Sequence, residues 1–84
     1  MRVLIVDDHR IVASGCRALF ADDPEIDILE ASDAESGEHV FGEQHPDICV
    51  LDINLPTVSG FELARRLLAR DASCLLYTSD AADE

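Results

Sequence analysis

Residues 46–60 read PDICVLDINLPTVSG and contain the pattern that decides the fold. The run ICVL at 48–51 is apolar without interruption, which is typical of a strand buried on both faces of a parallel sheet. The run stops at Asp52, and Pro56 and Gly60 then mark a turn, because proline fixes φ and glycine tolerates a close backbone approach. This stretch therefore predicts a buried strand, an acidic loop and the start of a helix.

The same pattern opens the chain, where residues 2–6 read RVLIV and end at Asp7 and Asp8. Between these two runs, residues 26–30 (IDILE) alternate apolar and acidic side chains, which is typical of a strand at or near the edge of a sheet. The sequence therefore predicts three strands, two of which are buried and end in aspartate.

Three helical segments follow the three predicted strands. The first spans residues 11–21, and S-x-x-E capping boxes predict that the second and third begin at Ser32 with Glu35 and at Ser59 with Glu62. Apolar spacing predicts which side chains face the sheet: Val12, Cys16, Leu19 and Phe20 in the first helix, Val40 and Phe41 in the second, and Phe61, Ala64, Leu67 and Leu68 in the third.

The resulting order βαβαβα predicts an α/β fold with a doubly wound parallel sheet and strand order 2-1-3. Ligands of such sheets bind beyond the carboxyl ends of the strands, where the winding reverses. In this chain that point is the gap between strands one and three, so we expect Asp7, Asp8 and Asp52 to meet there.

Three neighbouring carboxylates repel one another unless protons or a cation neutralise them. Mg²⁺ prefers a few oxygen ligands together with water and phosphate oxygens, so we expect Asp7, Asp8 and Asp52 to bind it. A carboxylate beside such an ion can attack a phosphoryl group, and Asp52 is the predicted nucleophile. The alternative is structural, with Asp7 and Asp8 capping the first helix and Asp52 opening a loop.

Composition excludes several other kinds of protein. The net charge is −12, from 18 acidic residues and 6 arginines, so this segment should not bind nucleic acid. The sequence has neither a signal peptide nor an apolar run long enough to span a membrane, so we expect a cytoplasmic protein without membrane contact. Cys16, Cys49 and Cys74 lack metal-ligand spacing, which favours buried free thiols.

Residues 1–73, and above all the segments RVLIVDDH and PDICVLDINLPTVSG, resemble the receiver domain of bacterial two-component response regulators. The segment following DDH most resembles regulators with a LuxR-type helix-turn-helix output domain. The resemblance implies a flavodoxin-like fold in which a histidine kinase phosphorylates Asp52. It also implies that Asp8 binds Mg²⁺ directly, that Asp7 acts more through water, and that the backbone carbonyl of Asn54 completes the metal site.

Residues 74–84 (CLLYTSDAADE) match the translation of a transposon-end sequencing adapter, so we expect a partial receiver over 1–73 and a non-native tail over 74–84. The domain would then be truncated after its third βα unit, without the lysine that the family places at the end of strand five. Residues 74–78 nevertheless have the length and β-propensity of a fourth strand, and Thr78 falls where the family places a switch hydroxyl.

The leading functional hypothesis is a non-enzymatic phosphoacceptor module that controls an output domain. We do not expect the 84-residue chain itself to work as a switch. An alternative is a phosphotransferase or phosphatase with an aspartate nucleophile, such as the haloacid dehalogenase type. Enzymes of that type require a second acidic residue two positions after the nucleophile, where this chain has Asn54. A third possibility is a binding domain that works without phosphorylation.

Overall fold

The computed structural model describes residues 1–8, 15, 17–55 and 58–79. Within them the elements are, in chain order, β1 (Arg2–Val6), β2 (Asp27–Ala31), α1 (Ala34–Gln44), β3 (Ile48–Asp52), α2 (Gly60–Arg70) and β4 (Leu75–Ser79). Helices α1 and α2 are the second and third predicted helices. Of the first predicted helix, over 11–21, the structure describes residues 15 and 17–21, where Leu19 and Phe20, predicted to face the sheet, are 79% and 37% exposed. No described helix is long and apolar enough to cross a membrane.

The four strands form one parallel sheet in the order β2-β1-β3-β4. Val6 at the end of β1 is in register with Ala31 of β2 and Leu51 of β3, so the three strands end at the same edge. The predicted order 2-1-3 is confirmed, as is the position of β2 at an edge. The carboxyl ends of β1 and β3 are adjacent, which places the sequence-predicted acidic residues together.

The sheet differs from the three-strand prediction because β4 pairs with β3, with Leu51 opposite Thr78 and Asp52 opposite Ser79. An apolar, β-prone segment can satisfy the hydrogen-bonding groups that β3 would otherwise leave unpaired at its edge. This pairing shows that the pattern of residues 75–79 fits the position of a fourth strand. That residues 74–84 are not native stays a prediction.

The core lies between one face of the sheet and the two described helices. Leu4, Cys49 and Leu51 from the strands, and Leu63 and Leu67 from α2, are all completely buried. Helix α1 contributes Ala34 and Phe41, as predicted for the latter. This packing fixes both helices on the sheet and so determines where the loops at its carboxyl edge lie.

The predicted caps are right for α2 and wrong for α1. The Ser59 side chain accepts a hydrogen bond from the Glu62 N–H at 3.2 Å. Helix α1 begins one residue later than the Ser32 capping box requires, because the Asp33 carboxylate accepts the Ser36 N–H at 2.8 Å. An aspartate satisfies the first-turn N–H groups as well as a serine does, so Asp33 takes the N-cap position.

The predicted buried stripe of the third helix is correct at Leu67 and in part at Ala64, but wrong at its two ends. Phe61 and Leu68 are 61% and 42% exposed, whereas Leu63 is completely buried. The buried positions are instead Gly60, Leu63 and Leu67, which follow the same i, i+3, i+7 spacing one residue earlier. The helix is thus rotated so that its glycine, rather than Phe61, faces the sheet.

Candidate metal centre

Three aspartates lie at the carboxyl edge of the sheet, at the ends of its two central strands. Asp7 and Asp8 directly follow β1, and Asp52 is the last residue of β3. The Asp7 N–H donates to the Ala31 carbonyl at 3.0 Å, which continues the β1–β2 pairing one residue beyond the strand. Strand geometry, rather than a long loop, therefore places these side chains.

One carboxylate oxygen from each of Asp7, Asp8 and Asp52 lies within 4.8 Å of the others. Asp52 is 1% exposed and Asp7 is 7% exposed, whereas Asp8 faces solvent. Hard divalent cations prefer oxygen ligands, so this donor set fits such an ion, and one exposed side leaves room for water or a substrate oxygen. The structure thus brings together the three carboxylates that the sequence predicted to meet, in an arrangement that could hold a metal ion.

The loop after Asp52 turns back on that residue. The backbone N–H of Asn54 donates to Asp52 Oδ1 at 3.0 Å. The loop backbone thereby orients the Asp52 carboxylate. The Asn54 side chain is exposed, and Leu55 is buried in the core cluster. The structure therefore places Asn54 in the loop beside the acidic cluster, and its predicted role as a carbonyl ligand stays a prediction.

Sequence reasoning did not identify Leu55 as the residue that anchors this loop. Leu55 is 8% exposed and follows directly on the turn at Ile53 and Asn54. Burial is predicted from sequence by the periodic spacing of apolar residues, and a single leucine in a short polar loop forms no such pattern. Its apolar side chain was the only signal in the sequence. Leu55 anchors the loop to the core three residues after Asp52.

Fold and site together define a doubly wound parallel α/β domain with an acidic centre at the end of its central strands. The family model for the response regulator receiver domain matches residues 3–84. The chain belongs to this family. Receiver domains of response regulators accept phosphoryl groups from histidine kinases and are in general signalling modules without enzymatic activity of their own.

Curated relatives include several transcriptional regulators. The DNA-binding transcriptional activator DevR/DosR of Mycobacterium tuberculosis is 40% identical over 87 residues, covering 100% of this chain and 40% of the relative. The nitrate/nitrite response regulator protein NarL of Escherichia coli is 32% identical over 72 residues, covering 84% of this chain and 33% of the relative. The chain thus spans two fifths or less of the length of these relatives.

Solved structures show the same fold. A LuxR-family two-component response regulator from Aurantimonas superposes with a TM-score of 0.81 at 35% identity, covering 92% of this chain and 56% of the other. A CheY-like receiver domain protein from Methanospirillum hungatei gives a TM-score of 0.85 at 21% identity, covering 92% of this chain and 61% of the other. The second likeness, at lower identity, concerns the fold alone.

Proposed function

We propose that this chain is the phosphoacceptor segment of a two-component transcription regulator and that Asp52 is its phosphorylated residue. The observation that carries this proposal is a buried carboxylate at the end of β3, within 4.8 Å of two further carboxylates. A second acidic group this close has a large electrostatic cost in a structural loop, and that cost is removed when a cation binds. Membership of the receiver family supports the same assignment.

In the proposed reaction an Asp52 carboxylate oxygen attacks the phosphorus of a phosphohistidine. An O–P bond forms and the P–N bond breaks, and the imidazole nitrogen keeps the electron pair and takes up a proton. The hydrogen bond from the Asn54 N–H to Asp52 Oδ1 fixes the rotation of the carboxylate. The attacking atom in this proposal is therefore the second carboxylate oxygen, Oδ2. Bound Mg²⁺ would offset negative charge on the phosphoryl oxygens.

Asp8 and Asp52 are the proposed direct ligands of Mg²⁺, Asp7 contributes mainly through water, and the Asn54 backbone carbonyl completes the set. If this is right, Mg²⁺ titrations followed by NMR will show greatly weakened binding in a variant that combines Asp7→Ala with Asp8→Ala. Asp27→Asn, an exposed aspartate at the opposite end of the sheet, is the control. Equally tight binding by the double variant would mean that the metal site is elsewhere.

Phosphorylation would control an output domain that this chain does not include. The names of the relatives suggest a DNA-binding regulator, most plainly in the LuxR-family and DevR/DosR examples. Any contact with DNA would be made by that output domain, because a segment with a net charge of −12 is repelled by phosphate backbones. We further propose a cytoplasmic location, a sensor histidine kinase as donor, and no enzymatic activity beyond the domain's own phosphorylation chemistry.

The test is labelling by a small acyl phosphate in the presence of Mg²⁺, followed by intact-mass spectrometry of the full-length protein. Wild type should gain one phosphoryl group, Asp52→Asn should gain none, and the matched control Asp27→Asn should label as wild type does. Asp52→Ala should behave as Asp52→Asn does, because both variants lack the carboxylate nucleophile. Labelling that persists in both Asp52 variants would exclude this residue as the acceptor.

A further inference from the structure

Gly60 makes an unusually close approach to the backbone of the candidate site. It is the buried first residue of α2, and a Cβ atom built on it would lie 2.4 Å from the Asp52 carbonyl oxygen and 2.7 Å from Ile53 Cα. Both neighbours are backbone atoms, which cannot move aside as a flexible side chain can. Any side chain at position 60 must therefore displace the segment that carries Asp52.

A hydrogen bond adds a second constraint on the same segment. The Gly60 N–H donates to the Ile53 carbonyl at 3.1 Å, so the start of α2 closes the loop that begins at Asp52. Helix α2 is itself held by Leu63 and Leu67, which are completely buried. The loop is thus held in place both by its own turn and by the start of α2, a helix that is anchored in the core.

We infer that Gly60 is a positioning residue that sets the backbone of residues 52–54 so that Asp52 and the Asn54 carbonyl can bind one metal ion. This inference rests on the proposed function, since it concerns Mg²⁺ binding at that site. Metal sites tolerate little displacement of their ligands, and groups that orient the ligands contribute strongly to affinity. A substitution at position 60 should accordingly weaken Mg²⁺ binding without removing any ligand.

Gly37 offers a matched control for a purely structural role. It is also a buried helical glycine, a Cβ built on it would lie 2.9 Å from Val6 Cγ2, and its N–H donates to the Asp33 carbonyl at 3.0 Å. Substituting it therefore crowds the core and destabilises the fold, but its close neighbour is a side chain in β1 and not the Asp52 loop.

The first experiment compares Mg²⁺ affinities of Gly60→Ala and Gly37→Ala by NMR titration, using the metal alone and the signals of folded protein. We expect Gly60→Ala to bind Mg²⁺ about 10- to 100-fold more weakly than wild type, and Gly37→Ala to bind within a few-fold of it. Equal affinities for wild type and Gly60→Ala would overturn the inference while leaving the proposed function intact. An absence of Mg²⁺ binding in wild type would overturn both.

The second experiment needs no substitution and so remains decisive if Gly60→Ala fails to fold. Coupling between two sites is reciprocal. If Mg²⁺ binding depends on the Gly60–Ile53 hydrogen bond, bound Mg²⁺ must therefore also stabilise that hydrogen bond. Amide exchange at Gly60 in wild type should slow when Mg²⁺ is added, by a larger factor than exchange at Gly37. The same slowing at both glycines, or none at Gly60, would show that Gly60 does not position the site.

Discussion

Two buried side chains of β3 that carry polar atoms, Asp52 and Cys49, have different chemical surroundings. Asp52 lies at the carboxyl end of the strand, beside two more carboxylates and the backbone N–H of Asn54. Cys49 lies in the core, where its Sγ is 3.5 Å from the Sγ of Cys74. Burial, and then the contact with Cys74, raise the pKa of the Cys49 thiol above its ordinary value. Position along one strand therefore separates a carboxylate in an acidic cluster from a thiol enclosed in the core.

The raised pKa of Cys49 predicts that the protein loses stability at alkaline pH. Unfolded, the thiol ionises above about pH 8.5, whereas in the folded core it keeps its proton. The unfolded state then binds fewer protons, so the contribution of Cys49 to the free energy of unfolding should be constant below that pH and fall as the pH rises further. Urea unfolding at a series of pH values measures this decline.

Burial also raises the pKa of the Cys74 thiol, which adds to the same decline, whereas the chain has no lysine and its one tyrosine, Tyr77, is 58% exposed. The variant Cys49→Ala lacks the buried thiol and should lose much of the alkaline decline, although it will be less stable at neutral pH. If wild type and Cys49→Ala declined equally between neutral and alkaline pH, another group would be responsible.

At the scale of elements, α2 shows how a one-residue difference in helix rotation decides which leucine matters. Leu63 is completely buried and Leu68 is 42% exposed, although apolar spacing placed Leu68, and did not place Leu63, in the buried stripe. We predict that Leu63→Ala lowers the free energy of unfolding by about 2 to 5 kcal/mol, as expected for a buried leucine. The matched variant Leu68→Ala should cost much less. Chemical denaturation of both variants tests this prediction. A larger loss in the free energy of unfolding for Leu68→Ala would instead support the buried stripe that apolar spacing predicted.

The strands were predictable from sequence because continuous apolar runs that end in aspartate have few alternatives in a small domain. Residues 2–6 match β1, the predicted run at 26–30 is shifted by one residue from β2, and the run at 48–51 ends one residue before β3 does. Since parallel strands end at a common edge, the meeting of the three aspartates followed from the same pattern. The metal and phosphoryl roles of those aspartates stay predictions.

The details that sequence could not predict are those in which two adjacent residues are physically equivalent. Ser32 and Asp33 are both good N-caps, and in the structure the Asp33 carboxylate accepts hydrogen bonds from both the N–H and the hydroxyl of Ser36. Similarly, α2 has two adjacent stripes that contain apolar residues, one starting at Gly60 and one starting at Phe61. The stripe of Gly60 faces the sheet, because a glycine allows close contact with the Asp52 backbone. A local pair of hydrogen bonds accompanies the first choice, and a tertiary contact accompanies the second.

At the scale of the whole molecule, β4 is the last strand of the sheet among the described residues, and the side chains on one of its faces are exposed there. Leu75 and Tyr77 are 57% and 58% exposed, and strand alternation places them on the face opposite the core cluster. An apolar edge strand is prone to pair with another chain. A complete small domain has a net stability of only about 5 to 15 kcal/mol, so this much uncovered apolar surface is a serious loss.

We therefore predict that the 84-residue chain is marginally folded and is not a working switch. Its thermal transition should be broad, and an acyl-phosphate mimic should not change its amide exchange. A full-length receiver that replaces residues 74–84 with the sequence of the genomic locus should unfold cooperatively and respond to the mimic. A cooperative transition with a mimic-induced change in the 84-residue chain would contradict this prediction and would make Thr78 a candidate switch hydroxyl.

The most direct test of the central claim is to locate the phosphoryl group chemically. Borohydride reduces an aspartyl phosphate to homoserine, so the full-length protein can be phosphorylated with a small acyl phosphate and Mg²⁺, reduced, digested and analysed by peptide sequencing. The account predicts homoserine at position 52 and nowhere else, and none in Asp52→Asn. Homoserine at the position of Asp7, Asp8 or any other aspartate, with position 52 unchanged, would contradict it.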